Sequence, residues 1–165
     1  MVDADAFRRV MGEFATGVTV VTLPGDPPHG ITVNAFASLS LAPPLVLVSL
    51  DHGTEAHRLF AEEGADSYAV NILTHEQRHL AEHFAGMTDG DTDPFETEAT
   101  KTAETGAPIF SDSLAYVDCT LYEAIEIGDH TIYAGHAEHT DSLDADTGPL
   151  TFYEGDWGTI EKFDD

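Results

Sequence analysis

Residues Gly30 to His52 read GITVNAFASLSLAPPLVLVSLDH, and the polar residues in this run fall where a half-buried strand should be plain. Side chains alternate across a strand with period two. Thr32, Asn34, Phe36, Ser38 and Ser40 therefore share one face, and Ile31, Val33, Ala35, Ala37, Leu39 and Leu41 the other. The second set predicts a core face. The first is a row of hydroxyls and one amide around a single ring, among residues small enough for a flat ligand to approach the backbone. Solvent explains such a row equally well, so the rest of the chain has to decide.

Working outward, Phe7, Val10, Met11 and Phe14 recur at helical spacing behind Asp3 and Asp5, which predicts a helix from about Asp5 to Thr16. A β-branched run, Val18 to Leu23, predicts a strand, and the Pro- and Gly-rich segment after it a turn. Beyond Pro43 and Pro44, Leu45 to Leu50 continues as strand. Thr54 to Glu63 and His75 to Ala85 read as short helices on either side of a strand over Ser67 to Leu73. Met87 to Pro94 reads as a polar loop, with weak helical character after it to Thr105. Leu114 to Ile127 and His130 to Thr140 predict a hairpin turning at Gly128 and Asp129. Leu150 to Tyr153 and Thr159 to Phe163 predict a last strand pair. Strands do not alternate regularly with helices, so a mainly β fold is expected: an antiparallel barrel, closed or partly open, of six to seven strands with a few short helices. At 165 residues the chain supports one core, and we read residues 1–165 as a single domain.

Acidic residues outnumber basic ones 31 to 6, for a formal net charge of −25, and they are spread along the whole chain. Nucleic acid and anionic membrane surfaces are therefore not expected partners, since both require a basic footprint. Self-repulsion at this charge is relieved in about 1 M salt, where the screening length falls to about 3 Å, so a salt-rich, halophilic cytoplasm suits the surface. Met1 to Phe7 has neither the basic nor the apolar region of a signal peptide, and the apolar stretch around Leu41 to Leu50 is too short to span a bilayer. A cytoplasmic location is expected. Cys119 stands alone and reads as a core residue.

His75-Glu76-Gln77-Arg78-His79 matches the HExxH zinc motif, and His83 extends its spacing. On a helical wheel, however, Gln77, Leu80, Ala81 and Phe84 share one face, which turns the histidines toward solvent, where nothing orients them as ligands. No zinc site is expected, and a zinc hydrolase is the weakest of the functions considered. Motifs of Rossmann dehydrogenases, P-loop enzymes and α/β-hydrolases are absent. An anionic nucleotide would have to find local donors, and Ser49 to Thr54, entering a helix, offers backbone N–H groups and hydroxyls. An ordinary helix capped by Thr54 accounts for that segment equally well. His130 stands at the mouth of the predicted hairpin. Phe152, Tyr153 and Trp157 bring aromatics together, more often core than ligand platform.

In order along the chain, FRRVMGEFATGVTVVT, GITVNAFASLSLAPPLVLVSLDH, YAVNIL, QRHLAEHFA, GDHTIYAG and PLTFYEGDWG together resemble the short-chain flavin reductases, the reductase components of two-component flavin monooxygenases. The resemblance implies an FMN-binding split β-barrel with Greek-key order, a homodimer, and flavin near the dimer interface. It implies an NAD(P)H:flavin oxidoreductase moving hydride from NADH or NADPH to FMN or FAD, with the reduced flavin passing to a partner monooxygenase. By position, Thr32, Val33, Asn34, Ala35 and Ser38 would meet the flavin ring. Ser49, Asp51, Thr54 and the stretch Phe84, Ala85 and Gly86 would lie near its phosphate or ribityl chain. His130 and Tyr153 would stand on the nicotinamide side, with no residue required as acid or base. The chain departs from the family pattern at Asp156 and Trp157, where a basic residue and a tyrosine are common. The rival reading is a flavin-binding electron carrier or store on the same barrel.

Overall fold

The computed structural model describes residues 1–143 and 146–164. Its first helix, α1 (Ala4–Gly12), is capped by Asp3, whose carboxylate accepts from the Asp5 amide at 3.0 Å. It stops short of the expected Thr16 because Thr16–Gly17 (β1) is drawn into pairing with Phe152 and Thr151. Strands β2 (Thr19–Leu23), β3 (His29–Val33), β4 (Phe36–Leu41) and β5 (Pro44–Asp51) follow, then α2 (Glu55–Glu62) and β6 (Ser67–Ile72). A 3-10 turn over His75–Gln77 leads into α3 (Arg78–Phe84); α4 (Pro94–Thr97), β7 (Thr100–Lys101) and β8 (Ile109–Phe110) are short. Two long strands, β9 (Ala115–Ile127) and β10 (His130–Ser142), form the expected hairpin, and β11 (Thr151–Tyr153) and β12 (Asp156–Gly158) come last.

The main sheet has seven strands in the order β3-β2-β6-β9-β10-β5-β4, every pair antiparallel. Its two edge strands, β3 and β4, are separated in sequence only by Asn34 and Ala35. The three peptide steps from Val33 to Phe36 reach at most ~11 Å. Seven strands laid flat about 4.8 Å apart would hold their edges roughly 29 Å apart. The sheet must therefore curl until its edges nearly meet, and Asn34 and Ala35 bridge the seam. Phe36 N donates to Asn34 O at 2.9 Å and Ser49 N to Ala35 O at 3.0 Å, which fixes both bridging residues. This is the mainly β split barrel with a few short helices that the sequence points to.

The expectation of one continuous strand through this run is corrected. The ladder breaks at the seam and restarts on the opposite edge, and a register shift between Ser38 and Ser40 disturbs it again. Of the residues assigned to a core face, Val33 is buried and Ile31 packs on the core, but Ala35, Ala37, Leu39 and Leu41 are exposed, Leu41 at 94%. Period-two bookkeeping holds only along an unbroken ladder.

Strand β2 is buried at all five positions because the curled sheet is covered on both sides there. Val21 and Leu23 point into the barrel, where Val48, Leu50, Tyr68, Val70 and Tyr133 meet Phe60 of α2. Val20, on the opposite face, packs under α3 with Leu73, Leu80, Phe110 and Leu150. Cys119 belongs to the inner cluster, and burial pushes its thiol up to about 12. The second strand of the terminal pair is also corrected, to Asp156–Gly158. The chain reverses at Glu154 and Gly155, both at positive φ (50° and 86°), in a two-residue hairpin turn. The expected helix over His75 to Ala85 begins instead with the 3-10 turn, where Gln77 Oε1 accepts from Thr74 N at 3.1 Å.

Candidate functional site

A cleft of about 1030 Å³ lies along the seam. Phe7, Met11 and Phe14 from α1 and its following turn wall one side, Asn34 to Ala37 form the floor, and Leu47, Ile72, Phe152 and His130 complete it. Its walls are mainly apolar. Polar residues in its lining are Asn34, Thr16, Thr19, whose buried hydroxyl is given to Val33 O, His130, and Arg8, which is paired with Asp5 at 3.0 Å. Large, largely preformed apolar clefts with a few convergent polar groups are where flat organic ligands bind.

Of the residues the sequence places against a flavin ring, Asn34 and Ala35 line this cleft. Thr32 and Val33 lie just before them on β3 but are committed elsewhere: the Thr32 hydroxyl donates to Ala81 O at 2.6 Å, and buried Val33 accepts from the Thr19 hydroxyl through its carbonyl at 2.6 Å. Ser38 is exposed on β4, opposite Val46 and away from the cleft lining.

Ser49, Asp51 and Thr54 converge with His130, which the sequence does not by itself predict. Asp51 lies directly opposite His130 in the β5–β10 ladder, and Ser49 opposite Ile132. Asp51 accepts from Gly53 N at 2.6 Å, while the Thr54 hydroxyl donates to Asp51 O at 2.7 Å and accepts from His57 N at 3.2 Å. Thr54 is thus the cap of α2, as its position predicts. The His130 ring shares a hydrogen bond with Asp129 through Nδ1 at 2.7 Å, which leaves Nε2 for a ligand. That bond, with the charge of the ring, holds the Asp129 carboxyl below its usual range.

Phe84, Ala85 and Gly86 lie elsewhere. Phe84 packs tilted against Phe95 and Phe110 and walls a second, more open cleft of about 460 Å³ with Pro28, His29, Gly30 and His83. Gly86, at φ +69°, ends α3: its N–H donates to His83 O, and that of Met87 to Glu82 O. Tyr153 is exposed, with its hydroxyl donating to Glu13 at 3.3 Å, and the negative charges of Glu154 and Glu13 push its ionisation upward. Its neighbour Phe152, not Tyr153, lines the large cleft.

The HEQRH histidines have separate surroundings. His75 shares a hydrogen bond with Thr147 at 2.9 Å, His79 with Glu98 at 2.9 Å, and His83 lies edge-on to Phe84. Two contributions escaped the sequence reading: the apolar stripe of α1, whose periodicity shows a helix but not that it walls a cleft, and Phe152, whose aromatic density reads first as core.

A split antiparallel barrel whose seam opens on an apolar cleft, lined also by Asn34 and His130, offers a site whose size and lining suit a flat heteroaromatic ligand. The chain belongs to the flavin reductase like domain family, whose model matches residues 11–161. It is 37% identical over 163 residues to the reductase subunit HsaB of a flavin-dependent monooxygenase from Mycobacterium tuberculosis, covering 97% of this chain and 84% of the relative. It is 36% identical over 160 residues to an NADH-dependent flavin reductase from a Rhodococcus species, covering 93% and 85%. Among solved structures, the NADH:FAD oxidoreductase of Streptomyces globisporus, in complex with NAD and FAD fragments, superposes with a TM-score of 0.86 at 36% identity, covering 100% of this chain and 99% of the other.

Proposed function

We propose that this protein is an NAD(P)H-dependent flavin reductase that delivers reduced FMN or FAD to a partner monooxygenase. The observation that carries the reading is the joining of Asn34, Ala35 and His130 in one cleft at the barrel seam. Reduced nicotinamide and flavin supply the hydride chemistry themselves when bound. The chain's own residues bind and orient: Asn34 meets the polar edge of a flat ring, α1 and Phe152 exclude water from its faces, and His130 orients the second substrate through Nε2. Ser49, Asp51 and Thr54 lie beside His130; the amides of His52, Gly53 and Thr54 already donate to Asp129 O, the Asp51 carboxylate and Asp51 O, so a phosphate there would depend on the remaining first-turn amides of α2. The reading includes a homodimer, supported by the exposed apolar face of α1 together with Leu39 and Leu41. It also includes a halophilic, cytoplasmic setting, supported by the charge of −25; no helix among the described residues is long and apolar enough to cross a membrane.

Steady-state oxidation of NADH and NADPH by the purified protein, with FMN or FAD in excess, tests the proposal. Turnover that depends on both substrates is expected. Tight flavin binding without dinucleotide oxidation would replace the reductase with the carrier or store.

A further inference from the structure

We propose that His52 is a positioning residue for His130, acting as a two-point clamp on the hairpin turn that carries it; the inference rests on the reading of His130 as the nicotinamide-side residue. The ladders to Asp51 and Ile127 fix the His130 main chain, but its ring has little to hold it. Its ring bond is to its neighbour Asp129, whose carboxylate is 90% exposed and free to swing. Its two flanking residues, however, are both tied to His52. The His52 amide donates to Asp129 O at 3.0 Å, and its ring shares a hydrogen bond through Nε2 with the Thr131 hydroxyl at 3.0 Å. Thr131 is only 5% exposed, so losing that partner costs a buried hydroxyl its hydrogen bond to the loop beside His130.

The clamp is itself backed from the core. The His52 ring lies against His57, centroids 4.6 Å apart, and His57 shares a 2.7 Å hydrogen bond with the buried Tyr133 hydroxyl. Tyr133 stacks on Phe60 inside the barrel, and its carbonyl accepts from the Tyr68 hydroxyl at 3.0 Å. Hydrogen bonds and ring contacts thus run from the inner core to the two residues that bracket His130. The same loop holds Asp51, Gly53 and Thr54, so His52 sets the spacing between this loop and the His130 imidazole.

A double-mutant cycle on the intact protein tests this. His52→Ala should lower kcat/KM for NADH by roughly threefold to tenfold, about what one lost hydrogen bond gives. His52→Gln, whose amide nitrogen reaches the position of Nε2, should recover the wild-type value to within about twofold, a rescue that loss of ring packing would not show. In a His130→Ala background, His52→Ala should add less than about twofold, because the group it positions is gone. Thr131→Val approaches the same bond from its other end, should reproduce His52→Ala, and carries the test if that variant does not fold. Equal losses in both backgrounds, or no loss in the wild-type background, overturn the clamp. If His130→Ala itself turns over NADH normally, it is the reading of His130 that falls; a crippled His130→Ala beside normal His52→Ala and Thr131→Val removes the clamp alone.

Discussion

Asn34 joins the two edges of the sheet through its main chain and lines the cleft, so its two roles separate cleanly. The hydrogen bond from Phe36 N to Asn34 O survives any side chain, whereas the amide is lost in Asn34→Leu at nearly constant bulk. Flavin affinity should then fall by about 1–3 kcal/mol as a buried polar group of the ligand goes unpaired. A fluorescence titration showing wild-type affinity in the folded variant would mean that this residue serves solvent. Gly135 makes the opposite kind of case, a residue whose importance is entirely steric. A Cβ there would stand 2.8 Å from Cys119 Cβ and run into the Tyr68 hydroxyl, so Gly135→Ala should destabilise the fold by about 1–3 kcal/mol in denaturant unfolding. An unchanged midpoint and slope would show that the barrel yields there. At this scale, cap and turn residues were largely legible from type and place: Thr54 caps α2 and Gly128 turns the β9–β10 hairpin, while type alone left Asp3 and Asp5 equal candidates for the α1 cap that Asp3 fills. The commitment of Thr32 to Ala81 was not, because a hydroxyl in a strand has no preferred partner until the helix above it is placed.

Among the elements, α1 stands apart, with none of its residues buried although Val10 and its apolar neighbours form a clean stripe; Val10 is 65% exposed. If that stripe faces a second copy of the chain, Val10→Glu places a charge in a dry contact and should convert dimer to monomer. Light scattering behind size exclusion checks this, with circular dichroism expected to stay as in the wild type; a variant that remains dimeric would move the interface elsewhere. Element identity was readable for the strongly patterned segments, β2, β5, β6 and the β9–β10 hairpin. It failed where an element's limits are imposed from outside. Pairing of Thr16–Gly17 with Phe152 and Thr151 cuts α1 short, and the Glu154–Gly155 turn shifts the last strand, at a glutamate whose type gives no sign of positive φ. The apparent single strand from Gly30 to Leu41 failed for the same reason, since only the position of the opposite edge reveals that it serves both.

Charge governs the molecule as a whole. Thirty-one acidic and six basic residues leave few counter-charges, and three of the arginines are already engaged, Arg58 with Glu55 and Glu63, Arg78 with Glu82 and Arg8 with Asp5. These pairs are largely exposed and add little individually. Lowering salt from about 1 M to below about 0.1 M lengthens screening from about 3 Å to about 10 Å, and the thermal midpoint should fall with it. A midpoint flat across that range would show that the acidic surface is tolerated without salt. The seam couples this stability to whatever the cleft holds. Because the residues that floor the cleft are also the hasp of the barrel, a ligand seated there closes the fold much as a bolt closes a hoop. Its free energy of binding therefore adds to resistance against unfolding by mass action, rising with the logarithm of ligand concentration. Occupancy and structural integrity become one thermodynamic quantity, and a molecule that has released its flavin is also a molecule whose hoop is easier to spring.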